Sequence, residues 1–227
     1  MEYDITHRPS DSLLTVSLDA GEEIRAEGGA MVSHDASVEM ETNATGGFLK
    51  SIRRSFGGES FYQNTFRATE AGGVSFAPPL PGDVTHVELT DETVYVQSGS
   101  YLAGDTALDV DTKFGGSRSF FGGEGLFLLK IAGTGPTFLS SYGAIEEVDV
   151  GAADPFVVDT GHIVAFEESV DFTVRRVGGL KSTVLSGEGL VCEFRGDGKV
   201  WLQTRSADAF LSWLIPKLPA RPPSSGP

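Results

Sequence analysis

Gly58-Glu59-Ser60-Phe61, Gly123-Glu124-Gly125-Leu126 and Gly187-Glu188-Gly189-Leu190 are three versions of one short pattern. Their glutamates stand 65 and 64 residues apart, and an aromatic follows each, Phe76, Phe138 and Trp201, at spacings of 62 and 63. A polar-small-Gly turn and an apolar pair precede each, at Glu27 to Val32, Gln97 to Leu102 and Asp159 to Val164. Acidic-apolar strands come next: Ser37-Val38-Glu39-Met40, Ala107-Leu108-Asp109-Val110 and Ser169-Val170-Asp171-Phe172. Several features in one order at one period predict an internal threefold repeat, with copies at about 5–90, 91–155 and 156–205. Copies closed about a pseudo-threefold axis would hide their strand edges.

Period-2 alternation runs through each copy. Leu14, Val16 and Leu18 alternate with Thr15, Ser17 and Asp19, and Phe172 and Val174 alternate with Thr173 and Arg175. Such stretches, bounded by Gly, Asp and Pro, read as half-buried antiparallel strands. One segment alone has a helical period. Ser206 can cap it, Ala207, Phe210, Leu211, Leu214 and Leu218 share its spacing, and Pro216 ends it, giving a helix over 206–215. The tail 220–227 is Pro- and Ser-rich and reads as disordered. The expected fold class is therefore all-β: a repeated β-roll or barrel in one domain, 1–219, with a short C-terminal helix.

The 227 residues include 32 acidic and 17 basic side chains, a net charge of −15. That balance opposes general nucleic-acid binding, whose affinity rests on neutralising phosphates. A dispersed carboxylate surface instead suits solubility at high salt, where screening is short-ranged, so a halophilic setting is expected. The lone Cys192 makes no internal disulfide and points to a reducing, intracellular compartment. No run of 18 apolar residues is present, and the acidic start Met1-Glu2-Tyr3-Asp4 does not read as a signal peptide. The expected location is cytoplasmic, with peripheral attachment at the inner face of the membrane as an option.

Candidate chemistry is sparse. His7, His34, His86 and His162 have no ligand-like spacing, and His162 with Glu167 and Glu168 reads better as solvated strand residues than as a metal site. No nucleophile elbow or phosphate loop is found. Cys192 reads as a small buried residue. No cofactor, metal or enzymatic activity is expected. The repeated Gly58-Glu59, Gly123-Glu124 and Gly187-Glu188 could set three carboxylates near the pseudo-axis for a cation. The favoured reading makes them turn acceptors for backbone N–H groups.

Three basic segments precede these turns. The first holds Phe48, Leu49, Lys50, Ile52, Arg53, Arg54 and Phe56; the second holds Lys113, Arg118, Phe120 and Phe121; the third holds Arg175, Arg176 and Lys181. From 46–57, 112–122 and 175–183 they supply eight of the 17 basic residues and none of the 32 acids. Corresponding repeat positions predict a common rim, basic and apolar together, suited to an anionic membrane surface or a partner. The competing reading is packing between repeats or subunits.

The run Gly122 to Phe127, the ending Val200-Trp201-Leu202-Gln203-Thr204-Arg205-Ser206, and Gly46 to Phe66 with Glu59-Ser60-Phe61 and Asn64 resemble a known family. It is that of the mitochondrial biogenesis protein named for altered inheritance of mitochondria, in a prokaryotic form, over about Ile5 to Pro219. The resemblance implies a fold similar to the tryptophan RNA-binding attenuation protein, all-β and repeated, with ring-like or trimeric homo-oligomers. It supplies no catalytic residues. The mitochondrial branch is implicated in inner-membrane organisation, and no transit peptide is read here. The leading expectation is a non-enzymatic scaffold or interaction protein, and the alternative is a small-ligand or nucleic-acid binder by fold analogy.

Overall fold

Alternating apolar residues generate the strands from the first turn onward. The computed structural model describes residues 1–42, 63–111, 120–121, 126–176 and 190–219. The chain opens with β1 (Glu2–Thr6), β2 (Leu13–Leu18), β3 (Glu23–Glu27), β4 (Met31–His34), β5 (Val38–Thr42), β6 (Gln63–Ala68) and β7 (Gly72–Phe76). Next come the long β8 (Val84–Gln97), β9 (Tyr101–Asp105), β10 (Asp109–Asp111), β11 (Phe120–Phe121) and the long β12 (Leu126–Ser140). β13 (Ile145–Val150), β14 (Phe156–Asp159), β15 (Ile163–Glu167), β16 (Val170–Arg176), β17 (Leu190–Gly196) and β18 (Gly198–Gln203) follow. The helix α1 (Ala207–Leu214) and a 3-10 turn, Ile215–Lys217, come last among the described elements. The described residues are thus mostly β, with one short C-terminal α-helix among them.

The strands form three sheets. One runs β1-β2-β7-β4, and another runs β14-β17-β16. The largest runs β13-β18-β15-β8-β12-β9-β3-β6-β5, with β10 and β11 also on β12. Its two long strands bend together: Asp91 has φ 59°, and the β8–β12 register shifts between Gly133 and Thr134.

One pairing scheme recurs along the chain. β2 pairs β7, the first half of β8 pairs the second half of β12, and β13 pairs β18. β4 with β7, β9 with β12 and β15 with β18 each carry a register shift. The corner strands then cross to a neighbour, β9 onto β3 and β15 onto β8. β4 and β14, which would complete that series, are not paired among the described residues. This corrects the barrel expectation: the hydrogen-bonded circuit stays open there, and no sheet closes on itself among the described residues.

Burial follows the alternation. Leu14, Val16 and Leu18 are buried, as are Leu108 and Val110. The repeated aromatics Phe76, Phe138 and Trp201 all lie in the core, Phe76 and Phe138 in one apolar cluster and Trp201 in a second. Fully burying such a side chain contributes roughly 1.5–3 kcal/mol. Met40 departs from the pattern and is 46% exposed, although Val38 on the same strand is buried.

Candidate interaction surface and central pocket

Each basic segment arises in the connection between two antiparallel partners. β5 leads to β6, β10 leads towards β12, and β16 leads to β17. Phe48, Leu49, Lys50, Ile52, Arg53, Arg54, Phe56, Lys113, Arg118 and Lys181 lie outside the described residues, as do Gly58, Glu59, Gly123, Glu124, Gly187 and Glu188. Phe120 and Phe121 form β11, opposite Phe127 and Leu126. Arg175 and Arg176 sit at the exposed end of β16. Arg175 Nε donates to Glu193 at 3.2 Å, and Arg195 Nη2 donates to the same carboxylate at 2.6 Å. Arg195 first, then Arg175, hold the Glu193 carboxyl below its ordinary range. Arg175 is thus committed to the sheet surface, while Arg176 projects into solvent.

The remaining candidate side chains are locally satisfied. His162 Nδ1 lies 2.7 Å from the Gln203 carbonyl, and the Lys199 amide donates to Glu167. The Tyr95 hydroxyl donates to Glu168. No cluster of three or more His, Cys, Asp or Glu suited to a metal occurs among the described residues. Cys192 is fully buried, and burial pushes its thiol up to about 12.

The C-terminal helix starts as its sequence dictates. Ser206 Oγ accepts from the Ala209 amide at 3.3 Å, a helix cap. Its apolar spacing does not lead to burial, however, and no residue of α1 is buried. Leu211, Trp213, Ile215 and Leu218 are 46–60% exposed. Phe210 and Leu214 face the body and are half-buried, with Phe210 packing edge-on against Tyr142 at 6.0 Å. Lys217 Nζ lies 5.1 Å from the centre of the Trp213 ring. Residues 209–227 contain Lys217 and Arg221 and no acidic side chain.

The chain segments that follow the three repeated aromatics meet under the start of this helix. Pro78–Leu80, Ser140–Tyr142 and Gln203 with Ser206–Asp208 line a pocket of about 330 Å³, together with the corners at Gly99 and Gly161. Gln203 ties the segments together, accepting from the Tyr142 amide at 2.8 Å and donating to the Gly161 carbonyl at 2.9 Å. Sequence reasoning missed this pocket. Its available signal was positional: each segment begins shortly after an aromatic of the repeat. A second, wider groove of about 500 Å³ crosses the bend of β8 and is rich in acids, including Glu88, Asp91, Glu92 and Glu168.

No helix among the described residues is long and apolar enough to cross a membrane. An X-ray crystal structure of a Streptococcus pyogenes protein superposes with a TM-score of 0.79 at 25% identity, covering 96% of this chain and 99% of that one. A Streptococcus pyogenes serotype M6 protein described as uncharacterized is 25% identical over 228 residues, covering 96% of this chain and 92% of its own. The model of the mitochondrial biogenesis AIM24 family matches residues 3–205, and the chain belongs to that family.

Proposed function

We propose that the protein is a non-enzymatic scaffold that presents an apolar, locally basic surface to an anionic membrane. The carrying observation is α1 with its terminal turn: Leu211, Trp213 and Ile215 are exposed, and beyond Asp208 in the first turn the only charges that follow are the cationic Lys217 and Arg221. With its terminal turn the helix is about 16 Å long, too short for a hydrocarbon layer of about 30 Å. An element of that kind lies in the interface, where Trp seats at headgroup level and Lys reaches outward over it. The three basic segments read from the sequence extend the same surface if they emerge on one side.

The threefold repeat, similar to the attenuation-protein fold, belongs to this reading and is supported by the recurring strand pairs. So does a homo-oligomer, a trimer by family resemblance, held in the cytoplasm and peripheral at the inner face of the membrane. A ligand-binding role has one favouring observation, the central pocket. Nucleic acid is opposed by the net charge of −15.

Vesicle co-sedimentation tests the proposal. The full chain should pellet with anionic vesicles, and Leu211→Ser with Trp213→Ser should reduce pelleting about tenfold, while Arg175→Ala changes little. A wild-type chain that ignores anionic vesicles at every salt concentration would end the membrane assignment. Light scattering on the same samples reads the oligomer.

A further inference from the structure

We infer that β4 of one copy of this chain pairs with β14 of a second copy, which fills the seam that the single chain leaves open. The inference rests on the self-association in the proposed function and gives it an interface.

The three corner strands share one local construction. β4, β9 and β15 each bulge by one residue against β7, β12 and β18, and the bulged residues are Val32, Leu102 and Val164. A bulge re-aims its side chain. Leu102 thereby enters the core cluster of Phe76, and Val164 enters that of Trp201. Both are 0% exposed, whereas Val32 is 56% exposed. The neighbour explains the difference. β9 crosses onto β3, with Ala103 opposite Ala26 and Gly104 opposite Arg25. β15 crosses onto β8, with Ala165 opposite Val96 and Phe166 opposite Tyr95. β4 is bonded only to β7 among the described residues, and the third core cluster, that of Val158, Phe166 and Phe194, holds no residue of β4.

The receiving edge is open too. β14 is bonded to β17 on one side and, among the described residues, to no strand on the other. Val157 on it is 45% exposed. Asp159 precedes the corner turn Thr160–His162 as Gln97 precedes Ser98–Ser100. Val158 and Val157 therefore hold the positions of Val96 and Tyr95. The register used twice inside the chain then sets Ser33 opposite Val158, His34 opposite Val157 and Asp35 opposite Phe156. No like charges meet directly in that register, so nothing electrostatic opposes it.

One chain thus carries both exposed halves of an interface that it already makes twice internally. An open edge is a template for a further strand, and the strand with the matching bulge is β4 of another copy. In that pairing Val32 enters the third cluster as Leu102 and Val164 enter theirs. The two halves are different surfaces, so the contact is heterologous and closes as a ring, a class that includes the trimer of the proposed function.

Disulfide trapping on the full chain tests this. His34→Cys and Val157→Cys are changes at exposed positions that the register sets opposite each other, at a separation a disulfide spans. The buried Cys192 adds no background. Mixed and oxidised with copper phenanthroline, the two single variants should give a covalent dimer that neither gives alone. Val32→Asp should lose the oligomer in light scattering and keep the circular dichroism of the wild type, because the added charge is buried only in the assembly. Absence of the mixed dimer from a wild-type-like oligomer overturns the seam and leaves self-association standing, while a monomeric wild type overturns both. A chain carrying both cysteines that oxidises within itself, without dimer, overturns the second copy, because the seam then shuts inside one chain. An unchanged oligomer in Val32→Asp also overturns it. None of these outcomes depends on vesicle binding, which the Leu211 and Trp213 variants read separately.

Discussion

Arg8 grips Asp83 with two donors, Nε to Oδ1 at 2.8 Å and Nη2 to Oδ2 at 2.9 Å, across 75 residues of chain. Asp83 is 2% exposed and also accepts from Ser12 Oγ and the Val84 amide. Its backbone reaches Ser141 and Gly143, so this carboxylate pins the N-terminal loop and two connections together. Burial alone would raise its pKa. The hydrogen bonds from Arg8 and Ser12, the Arg8 charge and the Val84 amide outweigh it, and the net shift is downward. A lowered folded value means stability that is present above the unfolded Asp value of ~3.9 and lost as pH falls through the folded one. Asp83→Asn should therefore cost about 3 kcal/mol at pH 7. The deficit relative to wild type should shrink in denaturant melts below pH 4. A deficit that stays constant to pH 2 would refute the linkage.

How much of this was legible follows from the range of each interaction. The strands of Leu14 to Leu18 and the buried Phe76, Phe138 and Trp201 were legible because alternation and repeat spacing are local or periodic signals. The Ser206 cap was legible for the same reason. Met40 was not, since its strand β5 is bonded among the described residues on one side only, to β6, and periodicity does not report whether a second layer covers a face. The same gap hid the exposure of Leu211 and Ile215: their spacing specifies a helix, not a surface to receive it. Arg8–Asp83 and the pocket under the start of α1 join residues tens of positions apart with no motif at either end. The basic segments remain a sequence argument, because only Arg175, Arg176, Phe120 and Phe121 fall among the described residues.

Gly82 is expected to tolerate no side chain. A Cβ there would lie 1.7 Å from the Ser141 carbonyl oxygen, and the residue bridges Gly143. Backbone cannot yield as a flexible side chain does, so Gly82→Ala should destabilise by at least about 3 kcal/mol. Gly151→Ala is the control, with nothing within 4 Å of its Cβ position, and should stay within about 0.5 kcal/mol. Equal melting temperatures for the two variants would contradict the close approach.

Cys192 should be chemically silent in the folded chain. Burial pushes its thiol up to about 12, a rise the Thr173 backbone contact only partly opposes. Thiolate, the reactive form, is then scarce at pH 8. A maleimide reagent should label native protein negligibly over a time that labels denatured protein fully. Native labelling at the denatured rate would show that β17 opens readily or that the cysteine is not buried.

Salt should stabilise the fold, and the acidic groove offers a way to separate screening from general salting effects. The chain carries 32 acids against 17 bases, and lowering ionic strength from 1 M to 0.1 M lengthens the Debye distance from about 3 to about 10 Å. Asp91 and Glu92 are adjacent at the bend of β8 and share the groove with Glu88, Glu147 and Glu168, while Lys199 is its only Lys or Arg among the described residues. Lys199 is already paired with Glu147. Glu168 lies 3.6 Å from Lys130, but Asp91 and Glu92 make no ion pair among the described residues, so repulsion at this adjacent pair is the part that dilute buffer leaves unscreened. Molar salt also strengthens apolar burial, so a higher melting temperature alone would not isolate charge. The variant Asp91→Asn with Glu92→Gln does so. It should gain about 0.5 kcal/mol per removed charge in dilute buffer and nothing in molar salt, because screening has already removed the repulsion there. The wild type should melt higher in molar salt, and the variant should show a smaller salt increment. Equal increments for the two would assign the salt effect to apolar burial and leave the acidic surface without a stabilising role at high ionic strength.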